Sequence, residues 1–297
     1  MASSLLLVDA LISETLYPPY ADKHGASAAT EGLAKIKAQM DHEYSSGNGS
    51  LMRILPVGLA YWKSEEKART YARRSSMTTH PNEMCQEACE VWTGAIVRTM
   101  QAACAAESDV DLMPFSKLDL LHYIASFPYR NQKLREALAA PGPDISSSSS
   151  KSERDLRLEE HYRTHHPVLK LLADREKLRG RRTGEELNLP SEKELSSSGY
   201  VLHTIVAALY CFLASSTFEE GAILAANLGN DSDTVGAVYA GLAGCWYGGN
   251  ELEYFGEDGG ETRFWNSRVN EWKKDLVMKN LIEEVSEQLV KFDVEWV

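Results

Sequence analysis

Two carboxylates one residue apart, Asp231 and Asp233, are followed at once by the hydroxyl of Thr234 and then by a helical run rich in glycine and alanine. Hard oxygen donors at this spacing suit Mg2+, Mn2+ or Ca2+, which take Asp and Thr oxygens together with water. The same residues also read as the cap and first turn of a helix, whose unsatisfied N–H groups and dipole favour anionic side chains. A cap needs one aspartate, so the second carboxylate is what that reading leaves over. At this level both stand. Gly236, Ala240 and Gly244 recur every four residues, as do Ala237 and Gly241, so two adjacent faces of the helix carry almost no side chain. Each glycine costs about 1 kcal/mol relative to alanine in a helix interior. The expectation is a central, buried helix that others approach closely.

A second candidate is the run Ser46, Gly47, Asn48, Gly49 and Ser50, which opens the next apolar stretch. Backbone N–H groups at such a helix entrance hold phosphate, although the same pattern also makes an ordinary turn and cap. His80 stands before Pro81 and a helix start, where it either faces a ligand or satisfies loop carbonyls. His203 lies among apolar neighbours and reads as a core or pocket-edge residue. Cys85 and Cys89, four apart, read as packing, and Arg179, Arg181 and Arg182 as solvated charge.

Composition bounds the rest. The 297 residues carry a formal net charge of -12, with 43% hydrophobic and 25% charged residues. Such a chain buries a sizeable core, and its acidity argues against a duplex nucleic acid partner. The cysteines number 5, an odd count, and lie in apolar helical stretches without zinc-ligand spacing, as buried free thiols do in a reducing compartment. No signal peptide or membrane-spanning run is evident. The expectation is a cytoplasmic protein, with the nucleus as the alternative, and no membrane partner.

The elements that must position these residues read as helices throughout, because apolar residues recur at 3.6-residue spacing and no alternating run appears. Leu5, Val8, Ile12 and Leu16 mark a first helix, followed by segments around 32–40, 51–62 with Pro56 at its kink or first turn, 65–75, 84–99, 117–127, 130–139, 199–212 and a start at Thr217. Trp265, Val269, Trp272, Leu281, Val285 and Leu289 predict one or two closing helices. Between about 143 and 197, five serines at 146–150 precede dense mixed charge, a composition that predicts a disordered insertion or surface excursion, with a helix around 153–162 as an option and a segment near 167–172 touching the body. The prediction is one compact all-α domain of crossing helices over 1–297.

Taken together, four phrases resemble one family: Ser46 to Pro56, Thr79-His80-Pro81, Ser198 to Leu209, and Asn227 to Gly236. In order and separation they resemble the ADP-ribosylglycohydrolases. The resemblance implies an all-helical fold and a binuclear Mg2+ or Mn2+ site that hydrolyses the glycosidic bond between ADP-ribose and an acceptor side chain. Cations at such a site lower the pKa of a water for attack at the anomeric carbon. It implies metal ligation by Asp231, Asp233 and Thr234, ligand binding by Ser46, Gly47, Asn48, Gly49 and Ser50, and a pocket-lining place for His80. Departures from the family pattern are Asn230, Ser232 and Val206. The family's Thr-Asp-Asp-Thr phrase, the other half of its metal site, stands upstream of a methionine that Met1 resembles. The expectation is therefore an ADP-ribosyl hydrolase with an incomplete metal site and impaired activity, or, as the alternative, a catalytically inactive ADP-ribose-binding or interaction protein.

Overall fold

The structure, a computed structural model, describes residues 26–108, 115–143, 150–179, 189–248 and 262–295. The helix predicted at 5–16 lies outside them. Among the described residues the chain is all-α, with thirteen α-helices and no named strand. In chain order these are α1 (Ala26–Met40), α2 (Leu55–Ala60), α3 (Glu65–Met77), α4 (Glu83–Ser108), α5 (Lys117–Ala125), α6 (Gln132–Leu138), α7 (Lys151–His165), α8 (Pro167–Arg179), α9 (Val201–Ala214), α10 (Phe218–Ala226), α11 (Ser232–Gly248), α12 (Ser267–Lys274) and α13 (Lys279–Glu295).

Local chemistry sets most of the boundaries. Ser64, Ser116, Asn131, Ser150, Thr217 and Asn266 each accept a first-turn backbone N–H and so start α3, α5, α6, α7, α10 and α12. Pro56 sits in the first turn of α2, where its missing N–H costs nothing. That shortens the helix predicted over 51–62, since residues 51–53 form a turn instead.

The central element is α4, which packs against α2, α3, α5, α6, α9 and α11. Every residue from Met84 to Val97 is buried, and the small Cys85, Ala88, Cys89 and Ala95 let neighbours close in around Trp92. The expectation that α11 is the central helix is corrected here, while its expected burial holds for the face it turns to the core. Its burial comes from Val235, Val238, Tyr239, Leu242 and Tyr247. Part of its small-residue stripe instead lines an open apolar groove of about 520 Å³, where Ala240, Gly241 and Gly244 face Leu59, Trp62 and Met100. Large apolar side chains gain more from burial than a glycine face does, so they take the core side.

The largest departure concerns the insertion. Residues 150–179 form α7 and α8, and Leu158, Tyr162, Val168, Leu169 and Ala173 are buried with the core. His166 lies between the two helices, fully buried, and its Nε2 contacts the Leu138 carbonyl at 2.9 Å. Its Nδ1 accepts from Val168 N at 3.3 Å, so Nε2 carries the hydrogen. A charged, serine-rich composition predicted disorder, yet a few well-spaced apolar residues suffice once α5, α6 and α9 supply the opposing surface.

Buried charge elsewhere is matched. The fully buried Glu87 accepts from Arg130 N at 2.7 Å and Asn131 N at 2.8 Å, and so holds the start of α6. Lys117 donates to Ser215 O at 2.6 Å and Tyr247 Oη at 2.8 Å, and also to Phe212 O, closing the end of α9.

Candidate functional site

Three chain segments meet at the N-terminal ends of α9 and α11. Asn48 N donates to Gly199 O at 3.0 Å and Val201 N to Ser46 O at 2.9 Å, so the 46–50 loop is pinned along residues 199–201. Asp231 N donates to Ser197 O at 3.0 Å, and Ser197 Oγ to Gly229 O at 2.9 Å, which ties the third segment to the second. Entry into α11 needs two consecutive left-handed residues, Gly229 at φ 77° and Asn230 at φ 50°. Glycine and asparagine are the residues that adopt this conformation at least cost, which accounts for Asn230 at a place of unusual sequence.

Side chains then close the gap. The amide of Asn48 donates to Asp231 Oδ2 at 2.5 Å and to Thr204 Oγ1 at 2.8 Å. A carboxylate only accepts, so the amide nitrogen must face it. Thr234 Oγ1 donates to the other oxygen, Asp231 Oδ1, at 3.0 Å. A Cβ on Gly199 would stand 3.4 Å from Asp231 Oδ2, so this glycine leaves room for the carboxylate. Among the described residues the partners of the Asp231 carboxylate are the side chains of Asn48 and Thr234 rather than the first-turn N–H groups of α11. Asp231 holds the N-cap position, its carbonyl accepting from Val235 N at 3.1 Å, but its carboxylate is turned to Asn48 and Thr234 instead of capping. The Asp233 side chain is exposed and makes no hydrogen bond or ion pair among the described residues.

Two oxygens on an octahedral Mg2+ at about 2.1 Å stand about 3 Å apart when adjacent. The separation of Asp231 Oδ1 from Thr234 Oγ1, 3.0 Å, has that size. Both are hard oxygen donors. An ordinary hydrogen bond has the same length, so what this pair and the neighbouring Asp233 offer a cation is the type of their oxygen donors, and among the described residues no three His, Cys, Asp or Glu side chains converge as a metal-binding group.

The glycine loop rests on α4. Cys85 Sγ donates to Gly47 O and Cys89 Sγ to Ser50 Oγ, each at 3.5 Å. Burial pushes the thiols up, to about 12 for Cys85 and about 11 for Cys89, so both stay protonated donors. Ser50 is fully buried, and its hydroxyl hydrogen-bonds the Ser76 hydroxyl at 2.9 Å. It underpins the loop from below instead of facing a ligand, because its side chain points to the α3–α4 side. Ser46 is likewise buried. His80 lies against the loop from the other direction. A Cβ on Gly49 would come within 2.9 Å of the His80 ring, a contact only glycine avoids. Burial first, and the Arg53 charge second, hold the His80 imidazole below its usual range.

The structure therefore brings Asn48, Asp231 and Thr234 together, sets His80 on the glycine loop, and leaves Asp233 exposed at the rim. His203 bonds Ser198 Oγ through Nδ1 at 2.7 Å and stands edge-on to Tyr200 with ring centroids 5.0 Å apart. Sequence reasoning passed over Thr204, Gly199, Arg53 and Thr79. The only sign of Arg53 and Thr79 is their place in the same short phrases as Gly49 and His80.

A family model described as ADP-ribosylglycohydrolase matches residues 11–293, nearly the whole chain. The chain belongs to the ADP-ribosylglycohydrolase family. Among relatives, it is 32% identical over 96 residues to ADP-ribosylarginine hydrolase Tri1 of Serratia proteamaculans, covering 32% of this chain and 22% of that protein. It is 43% identical over 63 residues to Tri1 of Pseudomonas putida, covering 21% and 17%. With human ADP-ribosylhydrolase ARH3 it shares 24% identity over 228 residues, covering 73% of this chain and 54% of that one. These matches span about a fifth of the length of the Tri1 proteins and about half of ARH3. A solved chain titled ADP-ribosylglycohydrolase-related protein complex matches at 24% identity and a TM-score of 0.49, over 98% of this chain and 80% of that one. Among the described residues of this family member no helix is long and apolar enough to cross a membrane.

Proposed function

We propose that this chain is a Mg2+- or Mn2+-dependent hydrolase that releases ADP-ribose from a modified side chain. The observation that carries the reading is the oxygen pair of Asp231 and Thr234, 3.0 Å apart and tied through Asn48 to the glycine loop. The Asp231 carboxylate and Thr234 hydroxyl would hold the cation, and Asp233 at the rim adds a second negative charge. A bound Mg2+ or Mn2+ supplies Lewis acidity and lowers the pKa of water within its reach. Asn48 keeps Asp231 turned towards Thr234, while residues 46–49 and His80 orient the diphosphate end of the substrate. The relatives' names supply the first acceptor to try, an ADP-ribosylated arginine.

A second reading, an ADP-ribose-binding protein without turnover, is favoured by one observation. Among the described residues no three His, Cys, Asp or Glu side chains converge as a metal-binding group, so the charge that a binuclear site needs is thin.

The test is release of ADP-ribose from an ADP-ribosylated arginine peptide in Mg2+, in Mn2+ and in EDTA. Metal-dependent release supports the hydrolase. Metal-dependent binding of ADP-ribose without release supports the second reading, and neither binding nor release removes both.

A further inference from the structure

We propose that Arg53 and Thr79 are positioning residues that lock His80 in its neutral Nε2–H tautomer, so that the ring offers a hydrogen-bond donor beside Gly47 and Gly49 to a phosphate oxygen of the ligand. The inference deepens the proposed function and takes the ligand class from it. The tautomer rests on the hydrogen bonds alone.

Arg53 Nη2 donates to Thr79 Oγ1 at 2.6 Å, and Thr79 Oγ1 stands 2.8 Å from His80 Nδ1. A guanidinium only donates, so the threonine oxygen accepts from it. The hydroxyl's own proton then has one partner among the described residues, His80 Nδ1. Were Nδ1 protonated, Thr79 Oγ1 would receive two donors while its proton pointed at nothing, next to a cation. With Nδ1 as acceptor the row runs one way, from guanidinium to hydroxyl to ring, no second donor crowds Thr79 Oγ1, and the ring hydrogen sits on Nε2 as the one donor of the row left for a ligand.

The row is held at both ends. Arg53 also donates to Gly49 O at 3.0 Å and to Ser75 O at 3.2 Å, joining the loop to the end of α3. The backbone of His80 is fixed from both sides by Ser76, whose carbonyl accepts from His80 N at 2.7 Å and whose hydroxyl donates to His80 O at 3.0 Å. Nε2 lies against the loop, where a Cβ on Gly49 would be 3.1 Å away and one on Gly47 3.6 Å away. It has no protein partner among the described residues. Arg53 has no carboxylate partner among them either, so its charge remains to favour an anion at this loop.

Long-range proton–nitrogen NMR of the imidazole at neutral pH, together with calorimetric titration of ADP-ribose in Mg2+, tests the inference. Wild type is expected to show His80 with a protonated Nε2 and a bare Nδ1. Thr79→Val, close in shape but without the hydroxyl, should lose the single tautomer and bind ADP-ribose about tenfold more weakly, as one lost hydrogen bond to a charged group implies. Thr79→Ser should keep both properties. A wild-type ring protonated on Nδ1, or Thr79→Val with unchanged tautomer and affinity, overturns the inference by itself. A wild-type chain with the Nε2–H ring that binds no ADP-ribose overturns its ligand half together with the proposed function.

Discussion

Asn48 and Asp231, separated by 183 positions in sequence, are joined by a 2.5 Å hydrogen bond between the amide Nδ2 and the carboxylate Oδ2. The bond makes the glycine loop and the acidic helix start parts of one site. It also leaves Oδ1 as the Asp231 atom paired with Thr234.

Removing that amide should loosen the carboxylate. Asn48→Ala is expected to cost about 1 to 3 kcal/mol, because Asp231 and the buried Thr204 each lose a partner, and to weaken stabilisation by Mn2+. Asn48→Asp should be worse, with a like charge against Asp231. Melting curves in EDTA and in Mn2+ check both, and identical metal-induced shifts in wild type and Asn48→Ala would remove Asn48 from the site.

Asp233 is exposed, so Asp233→Ala should leave stability in EDTA within about 0.5 kcal/mol of wild type. The same variant should abolish the rise in melting temperature on adding Mg2+ or Mn2+. A full rise in the variant would exclude Asp233 as a ligand.

His166 predicts an acid limb of stability. Burial pushes it down to about 4 from its usual value. Both states are neutral above about 6.5, the unfolded-state value. As pH falls below that, the unfolded chain takes up a proton that the folded one refuses until about 4. Stability is therefore lost over this window, by up to about 3 kcal/mol. Urea unfolding at pH 7.5, 6 and 5 should show a shallower slope for His166→Gln, whose amide can still donate to Leu138 O. An unchanged slope would mean that another group sets this limb.

The segment read from composition as disordered should prove structural. Tyr162 is fully buried on α7, and its hydroxyl bonds His122 Nδ1 at 2.6 Å. Tyr162→Ala is expected to cost about 3 to 5 kcal/mol, as large aromatic deletions from cores do. Deletion of 150–179 should remove the cooperative melt, and a deletion variant with wild-type melting would restore the composition-based reading.

What was legible in advance follows the range of each signal. The recurrence of Met84, Ala88, Val91, Trp92 and Ala95 marks α4, and Thr217 ahead of Glu220 marks the start of α10, because periodicity and caps act over a few residues. The same holds for the choice of Gly47–Gly49 and Asp231–Thr234 as places where chemistry is possible. Composition misled at 150–179 because it averages a window, whereas Tyr162 and Leu158 need only one apolar face to dock.

By itself the sequence determined the helical class, most helix boundaries and the two short phrases that carry oxygen donors and glycines, since each depends on neighbours in the chain. Only the tertiary structure decided that Ser50 turns inward, that Asn48 reaches Asp231, that Arg53 and Thr79 aim His80, and that the larger side chains of α11 take the core. These are choices among partners many residues apart. They are settled when helices pack and buried polar atoms must find their hydrogen bonds, a constraint that local spacing does not record.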